Sequence, residues 1–317
     1  MPSLRIWERE IASCLLGYGI LFAILLSPVL NADSTNLNPV DLANLENTYL
    51  YADGIYGGSG PYGEADFAAL QDAGIKTVVS VDGAYPKIEL ARKYGLEYIH
   101  VPIGYDQVSE EKTAQLVKAM QTREGPFYVH CHHGKHRGPA AAVCMLVGAG
   151  KISNDSAVAI MKQVGTSADY TGLYADAQNM TVLEQATIDA APELREVAEV
   201  SELAAVMAQI DIAWDNLVLV REAGWGPVPG HPDIDPAHEA LMLNEFFREL
   251  VRQREDVDLT EEEMEPFTEY NEWMDESARL SGELEQGIRL DKDGVFLETQ
   301  FKGLKQSCVL CHEAYRN

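Results

Sequence analysis

The sequence predicts an α/β domain with a mainly parallel sheet, followed by an all-α four-helix bundle. Three observations carry that expectation. Short β-rich runs alternate with helical stretches from Asp33 to Ile188. After Ile188 the β-signals stop, and four amphipathic stretches follow at about 193–222, 236–254, 260–286 and 295–316. At 317 residues the chain is also long enough for two cores of ordinary size.

The chain opens MPSLRIWERE and then runs without charge from Ile11 to Leu30, before the small-residue text NADS. This is the pattern of a secretory signal over residues 1–32, cleaved after Ala32. About 20 apolar residues can also span a bilayer, so an uncleaved N-terminal anchor is the alternative. Either way the remainder is expected to be exported, to the periplasm or cell envelope. The α/β domain is then expected over 33–188 and the helical domain over 189–317.

Within the first domain, Thr48–Tyr51 and Ile55–Tyr56 read as short strands. PYGEADFAALQDAG is a helix stopped at Gly74, and KTVVSV a buried strand. PKIELARKYG starts a helix at proline and ends it at glycine, ahead of the strand EYIHVPI. SEEKTAQLVKAMQTREG opens on Ser109 as a plain N-cap, because Lys112 stands where a reciprocal cap needs Glu or Gln. The strand PFYVH follows, then a small-residue helix in GPAAAVCMLVGAG, and two more helices near Asp155–Val164 and Ala168–Met180. In the second domain Leu203, Met207, Ile210, Trp214 and Leu217 repeat at helical spacing. Leu297, Phe301, Leu304, Cys308, Cys311 and Tyr315 do the same, and GWGPVPGHPDIDP separates the first two helices.

The formal net charge of −26 argues against nucleic acid as a partner, since phosphates need basic surface. Most of that charge lies after Ile188, where REDVDLTEEEMEPFTEYNEWMDE reads as a solvated acidic face. A basic cluster in such a chain is local. Residues 130–139, HCHHGKHRGP, are that cluster. Cys131 is placed at the end of a strand, Arg137 six residues later, and a helix follows at once. Such a loop turns backbone N–H groups inward, and the helix N-terminus adds partial positive charge. A phosphate dianion suits this cradle, Arg137 can grip two of its oxygens, and the same field favours a thiolate at Cys131. The chemistry implied is attack of sulfur on phosphorus, a phosphocysteine, and hydrolysis. His132, His133, Lys135 and His136 add positive potential, suited to a polyphosphorylated or acidic substrate. A transition-metal site on these side chains is the competing reading.

The His-Cys-x5-Arg pattern between strand and helix resembles the protein tyrosine and dual-specificity phosphatase superfamily, over about residues 45–182. The text IYGGSGPYGEADFAALQDAGIKTVVSVDG resembles small bacterial members of it. The resemblance implies a cysteine-phosphatase-like α/β fold, a phosphorylated substrate, and an acid for the leaving group on a loop after the preceding strand. Asp106 in HVPIGYDQVSE stands there, with Asp82 in SVDGAYP as second candidate. His130 would be the histidine that orients the loop. His132, His133, Gly134, Lys135, His136 and Gly138 would surround the bound phosphate. Gly138 departs from the family, which usually has Ser or Thr after the arginine to assist breakdown of the phosphocysteine.

KQSCVLCHEAYRN holds Cys308-x-x-Cys311-His312, which in an exported chain reads as covalent attachment of haem c. A redox dithiol is the rival. A CxxCH motif in the last of four helices, with Tyr315 and Arg316 behind it, resembles cytochrome c′ and its relatives over about residues 190–317. That likeness implies His312 as haem-iron ligand, Arg316 near a propionate, and a distal side either open or ligated by Met207. It also implies a homodimer through the helices. Together the motifs predict an exported phosphatase joined to a haem domain with a redox, gas-sensing or electron-transfer role, its redox partner unidentified. The alternative is a non-enzymatic c-type cytochrome whose first domain binds an anion.

Overall fold

Each of the five strands ends in a small or polar residue, and the loops that follow four of them place the site. A computed structural model describes residues 37–42, 44–255 and 268–315. The strands are β1 (Tyr49–Ala52), β2 (Ile55–Gly58), β3 (Thr77–Ser80), β4 (Glu97–His100) and β5 (Phe127–His130), ordered β1-β2-β5-β3-β4. β1 runs antiparallel to β2 and the remaining three pairs are parallel, so the sheet is mainly parallel as expected, with one antiparallel edge strand. The reason is local: Asp53-Gly54, with Gly54 at φ +72°, turns β1 straight back onto β2 as a hairpin. β5 is central, and all four of its residues are buried. His130 aligns with Gly58 on one side and Ser80 on the other, and Ser80 aligns with His100. The loops after β2, β3, β4 and β5 therefore leave the sheet side by side at its carboxyl edge, where open α/β sheets bind ligands.

The helices of this part are α1 (Glu64–Asp72), α2 (Ile88–Lys93), α3 (Glu110–Thr122), α4 (Arg137–Gly148), α5 (Asn154–Gln163), α6 (Thr171–Asn179) and the short α7 (Gln185–Ala190). The Ser109 cap forms as expected, its hydroxyl accepting from Lys112 N at 3.3 Å. Every residue of α4 is buried. Its alanines let it lie close against the sheet, α3, α5 and α6, and Cys144, completely enclosed, is pushed up to about 12 by burial.

The helical part comprises α8 (Glu202–Glu222), α9 (Pro236–Glu255), α10 (Thr268–Arg289) and α11 (Gly294–Tyr315) among the described residues. Each packs on the next in sequence order, around Leu217, Leu243, Phe247, Leu284 and Leu304. Trp214 of α8 stacks on Phe301 of α11, with ring centroids 4.4 Å apart. The stretch expected from 193 turns helical only at Glu202, where the Ser201 hydroxyl caps Ala204 N at 3.2 Å. Before that cap the chain stays on the α/β part: His100 N donates to Arg195 O at 2.8 Å and Ala198 N to His100 Nδ1 at 3.2 Å. The expected boundary at 188/189 thus falls inside α7, and Ile188 packs in the α/β core. Leu203, expected on the buried stripe, is 43% exposed and lines the cavity between α8 and the α/β part. The described residues cluster as one compact unit. Residues 1–36, which include the expected signal segment, and Arg316 lie outside the described residues, as does 256–267 within the third amphipathic stretch.

Candidate active site

The loop from Cys131 to His136 is held by its carbonyls. Val81 N donates to His130 O and Gly60 N to His132 O, both at 2.9 Å. Asn47 Nδ2 donates to His133 O at 2.8 Å, and Thr166 Oγ1 to Lys135 O at 2.6 Å. Carbonyls tied outward leave the amide N–H groups turned toward the centre of the loop, which is the geometry of an anion nest. Gly134 sits at φ +70°, and a Cβ there would lie 2.2 Å from the carbonyl carbon of Gly58. Only glycine meets both conditions. At Gly138 a Cβ would lie 3.1 Å from Cys131 N and 3.5 Å from Cys131 Sγ, so this position touches the sulfur directly.

Arg137, the first residue of α4, is 7% exposed, and Cys131 is 3% exposed. Arg137 Nη2 lies 3.4 Å from Asp82 Oδ2, and its guanidinium lies over the Tyr105 ring at 4.3 Å from the centroid. Its Nε has no hydrogen-bond partner although it is buried. Burial alone would raise Asp82, but Arg137 and the Ala84 N–H outweigh it and hold the carboxyl below the usual range. His130 is driven down to about 4, chiefly by burial, and its Nε2 pairs with the Tyr98 hydroxyl at 2.6 Å. His130 is therefore neutral at physiological pH.

The loop histidines differ in their surroundings. His132 Nε2 pairs with Asp215 Oδ2 of α8 at 2.8 Å, and its Nδ1 meets the Tyr62 hydroxyl. Burial would lower His132, yet Asp215 and Asp211 more than offset it and raise it overall. His133 is lowered by burial and by His132. His136 joins Tyr105 and Tyr170 in an aromatic cluster, with its ring 4.7 Å from Tyr170. Asp106 is exposed on the loop after β4, one residue beyond Tyr105, so the carboxylate brought onto Arg137 is Asp82.

Arg137 of the first motif and the CxxCH residues of the second, expected in separate domains, line one cavity of about 480 Å³. Asp82, Gly104, Tyr105, Lys112 and Arg137 line it from the α/β part. Met207, Ala208, Ile210 and Asp211 of α8, Tyr270 and Met274 of α10, and Cys308, Cys311 and His312 of α11 line it from the helical part. Cys308 and Cys311 lie one turn apart and are unbridged; burial pushes them up to about 12 and about 11. Helix α8 also approaches the loop after β3, where a Cβ on Gly83 would lie 3.1 Å from Ala204 O.

Sequence reasoning missed Tyr62, Tyr98, Tyr105, Asp211 and Asp215. Asp211 faces several groups at once, since its charge acts on Arg137, His132, His133 and Cys308. One signal existed for the aspartates. In AQIDIAWDNL two acids stand four residues apart on an otherwise apolar helix, hence on one face.

A family model described as Tc-R-P, polymorphic toxin system, DSP-PTPase phosphatase, matches residues 54–151. No protein of curated function matches the chain. Among solved structures, P. aeruginosa TpbA is 22% identical, over 47% of this chain and 89% of that one, with a TM-score of 0.39. A Cys-to-Ser variant of TpbA in complex with pTyr is 21% identical over 47% of this chain and 99% of that one, with a TM-score of 0.37. The core catalytic domain of the S. cerevisiae PP-IP phosphatase SIW14, in complex with citrate, is 16% identical over 47% and 92%, at 0.39. Strands β2 to β5, the whole loop and α4 lie inside the matched span, so it is residues 54–151 of this chain that are similar to the DSP-PTPase phosphatase family.

Proposed function

We propose that the chain is an exported, cysteine-dependent phosphatase of phosphomonoesters joined to a c-type haem domain. The observation that carries the first half is the buried Cys131–Arg137 loop, with its carbonyls bonded outward and an unpartnered Arg137 Nε. Arg137 and the loop amides hold the phosphoryl group. Cys131 sulfur attacks phosphorus as the ester P–O bond breaks, and Asp106 gives its proton to the departing oxygen. Water then attacks the S–P bond, releasing phosphate and restoring the thiolate. Asp82 stays ionised and serves Arg137. Substrates of the phosphotyrosine or polyphosphorylated inositol kind suit a loop bearing Lys135 and three additional histidines.

The second half rests on the donor set in the cavity. Two unbridged thiols one turn apart, the adjacent imidazole of His312, the thioether of Met207 and an apolar wall fit haem c. Cys308 and Cys311 would hold it by thioethers, His312 would ligate the iron, and Met207 stands on the opposite helix. Haem c would supply electron transfer or the binding of a diatomic gas. Because Arg137 and Asp82 line the same cavity, ligation or redox change there would reach the phosphate site directly.

The second reading, an anion-binding cytochrome without turnover, is favoured by Gly138 and by the closure of α8 over the loop. One experiment separates the two. Phosphate release from an aryl phosphate and from an inositol polyphosphate is followed for the haem-loaded protein and its Cys131→Ser variant. Release lost in the variant supports the phosphatase; none above the variant, with phosphate still bound, supports the cytochrome. A pyridine haemochrome spectrum lacking the signature of two thioethers would overturn the haem assignment independently.

A further inference from the structure

His132 and His133 belong to the phosphate loop, whereas Asp215 belongs to α8, and neither the phosphatase chemistry nor the CxxCH motif uses Asp215. We propose that His132, His133 and Asp215 form a binding site for a divalent transition-metal ion, of the zinc class, that ties α8 to the phosphate loop. One donor atom from each residue falls within 4.8 Å of the other two. His132 Nε2 lies 2.8 Å from Asp215 Oδ2, and His133 Nδ1 lies 3.7 Å from the same oxygen. Donors around a tetrahedral zinc at ~2 Å are ~3.3 Å apart, so the two separations bracket that value, each about half an ångström from it.

The surroundings are those of a ligand set rather than of a chance surface pair. The Tyr62 hydroxyl engages His132 Nδ1, which fixes the ring and leaves Nε2 pointing at Asp215. A second hydrogen bond of this kind, from the ring nitrogen that does not bind metal to an oxygen, accompanies most metal-bound histidines. His133 is fixed through its own carbonyl by Asn47, and the two imidazoles lie 4.3 Å apart between centroids. Asp211, one turn before Asp215, adds negative potential to both histidines. Two nitrogens and one carboxylate oxygen select zinc, cobalt, nickel or copper over magnesium and calcium. Three protein ligands leave a fourth position open, here beside the residues that follow Cys131.

The test uses the full chain with Cys308→Ser and Cys311→Ser in every form, so that zinc held by those thiols is absent throughout. Zinc uptake is read by competition with a chromophoric chelator, and thermal unfolding is followed with and without zinc. One equivalent is expected in the parent, with affinity falling about tenfold or more in Asp215→Asn and in His133→Gln, whose half-exposed side chain can be changed without disturbing the core. Asp215→His, which exchanges one ligand for another, should keep the zinc. Zinc should raise the Tm of the parent and of Asp215→His but not of Asp215→Asn. Equal uptake by parent and both ligand variants, no uptake by the parent, or equal uptake of magnesium would each leave a plain imidazole–carboxylate pair and overturn the proposal.

Discussion

Arg137 Nη2 faces Asp82 Oδ2 at 3.4 Å, and both side chains are more than nine-tenths buried. The cation proposed to bind phosphate therefore already has a partner on the loop after β3. A bound phosphate must share Arg137 with Asp82 or draw it away.

Removing that charge gives the first prediction. Asp82→Asn leaves a buried guanidinium uncompensated, at a cost of about 3–5 kcal/mol. The folded carboxyl lies below the ordinary range, so its contribution is present above that range and is lost as pH falls through the folded value. The variant should therefore melt well below the parent at neutral pH, and the gap should narrow in acid. Vanadate or phosphate, by supplying the missing anion, should restore more Tm to the variant than to the parent. A variant with the parent's Tm at neutral pH would show that Arg137 does not depend on Asp82.

In the proposed mechanism Asp106 is the proton donor, while Asp82 is engaged with Arg137. Asp106→Asn should slow hydrolysis of an alkyl phosphate about 100-fold, because alkoxide needs a proton as it departs. With an aryl phosphate whose leaving group is already acidic, the loss should be small. The pair of rates is the measurement. Equal losses on both substrates would assign Asp106 to structure, where its exposed position on the loop gives it little to do.

How far the sequence carries can be judged from these residues. The strand–loop–helix around Cys131 and the CxxCH turn are contiguous, so local spacing reveals them along with the elements that bear them. The hairpin of β1 on β2 was legible in hindsight from Asp53-Gly54, and the Ser201 cap from its side chain. The pairing of Asp82 with Arg137 was not, because it depends on β3 lying next to β5. Nor was the placement of Arg137 and Cys308 around one cavity, or the pairing of His132 with Asp215. These contacts follow from which apolar faces of α8 and the sheet edge pack together, and periodicity does not encode that.

Gly134 should be irreplaceable. Alanine there would need a left-handed backbone and would place its Cβ against the Gly58–Ser59 peptide. Gly134→Ala should lower stability by roughly 1–3 kcal/mol and abolish phosphate binding, as read by unfolding and by titration calorimetry. Retained phosphate affinity would mean that the loop amides are not the anion site.

Gly138 tests turnover itself. A serine there would bring a hydroxyl next to Cys131 Sγ, at the cost of a tight 3.1 Å approach of its Cβ to Cys131 N. A hydrogen bond to a developing thiolate is worth about 1.5–3 kcal/mol, or a roughly 10- to 100-fold gain in phosphocysteine breakdown. Gly138→Ser should therefore raise the steady-state rate after the burst, while Gly138→Ala, which crowds without donating, should lower it. If serine and alanine slow the enzyme equally, glycine is present to fit the loop and breakdown is not limited by a missing hydroxyl.

The shared cavity makes a spectroscopic prediction. Arg137 and His312 line the same space, as do Tyr105 and Asp211, so an anion on the loop would change the field at the side chains proposed to hold haem. Titrating phosphate or vanadate into the haem-loaded protein should shift its Soret band and its reduction potential, in proportion to anion bound. Drawing a dianion into the cavity stabilises the oxidised, more positive iron, so the potential should fall. Arg137→Ala should lose both the anion affinity and the shift, whereas Arg137→Lys should keep part of each, since a point charge replaces the fork. A potential and spectrum unmoved at saturating anion, in a protein that demonstrably binds it, would mean that the two motifs share a wall without sharing a function.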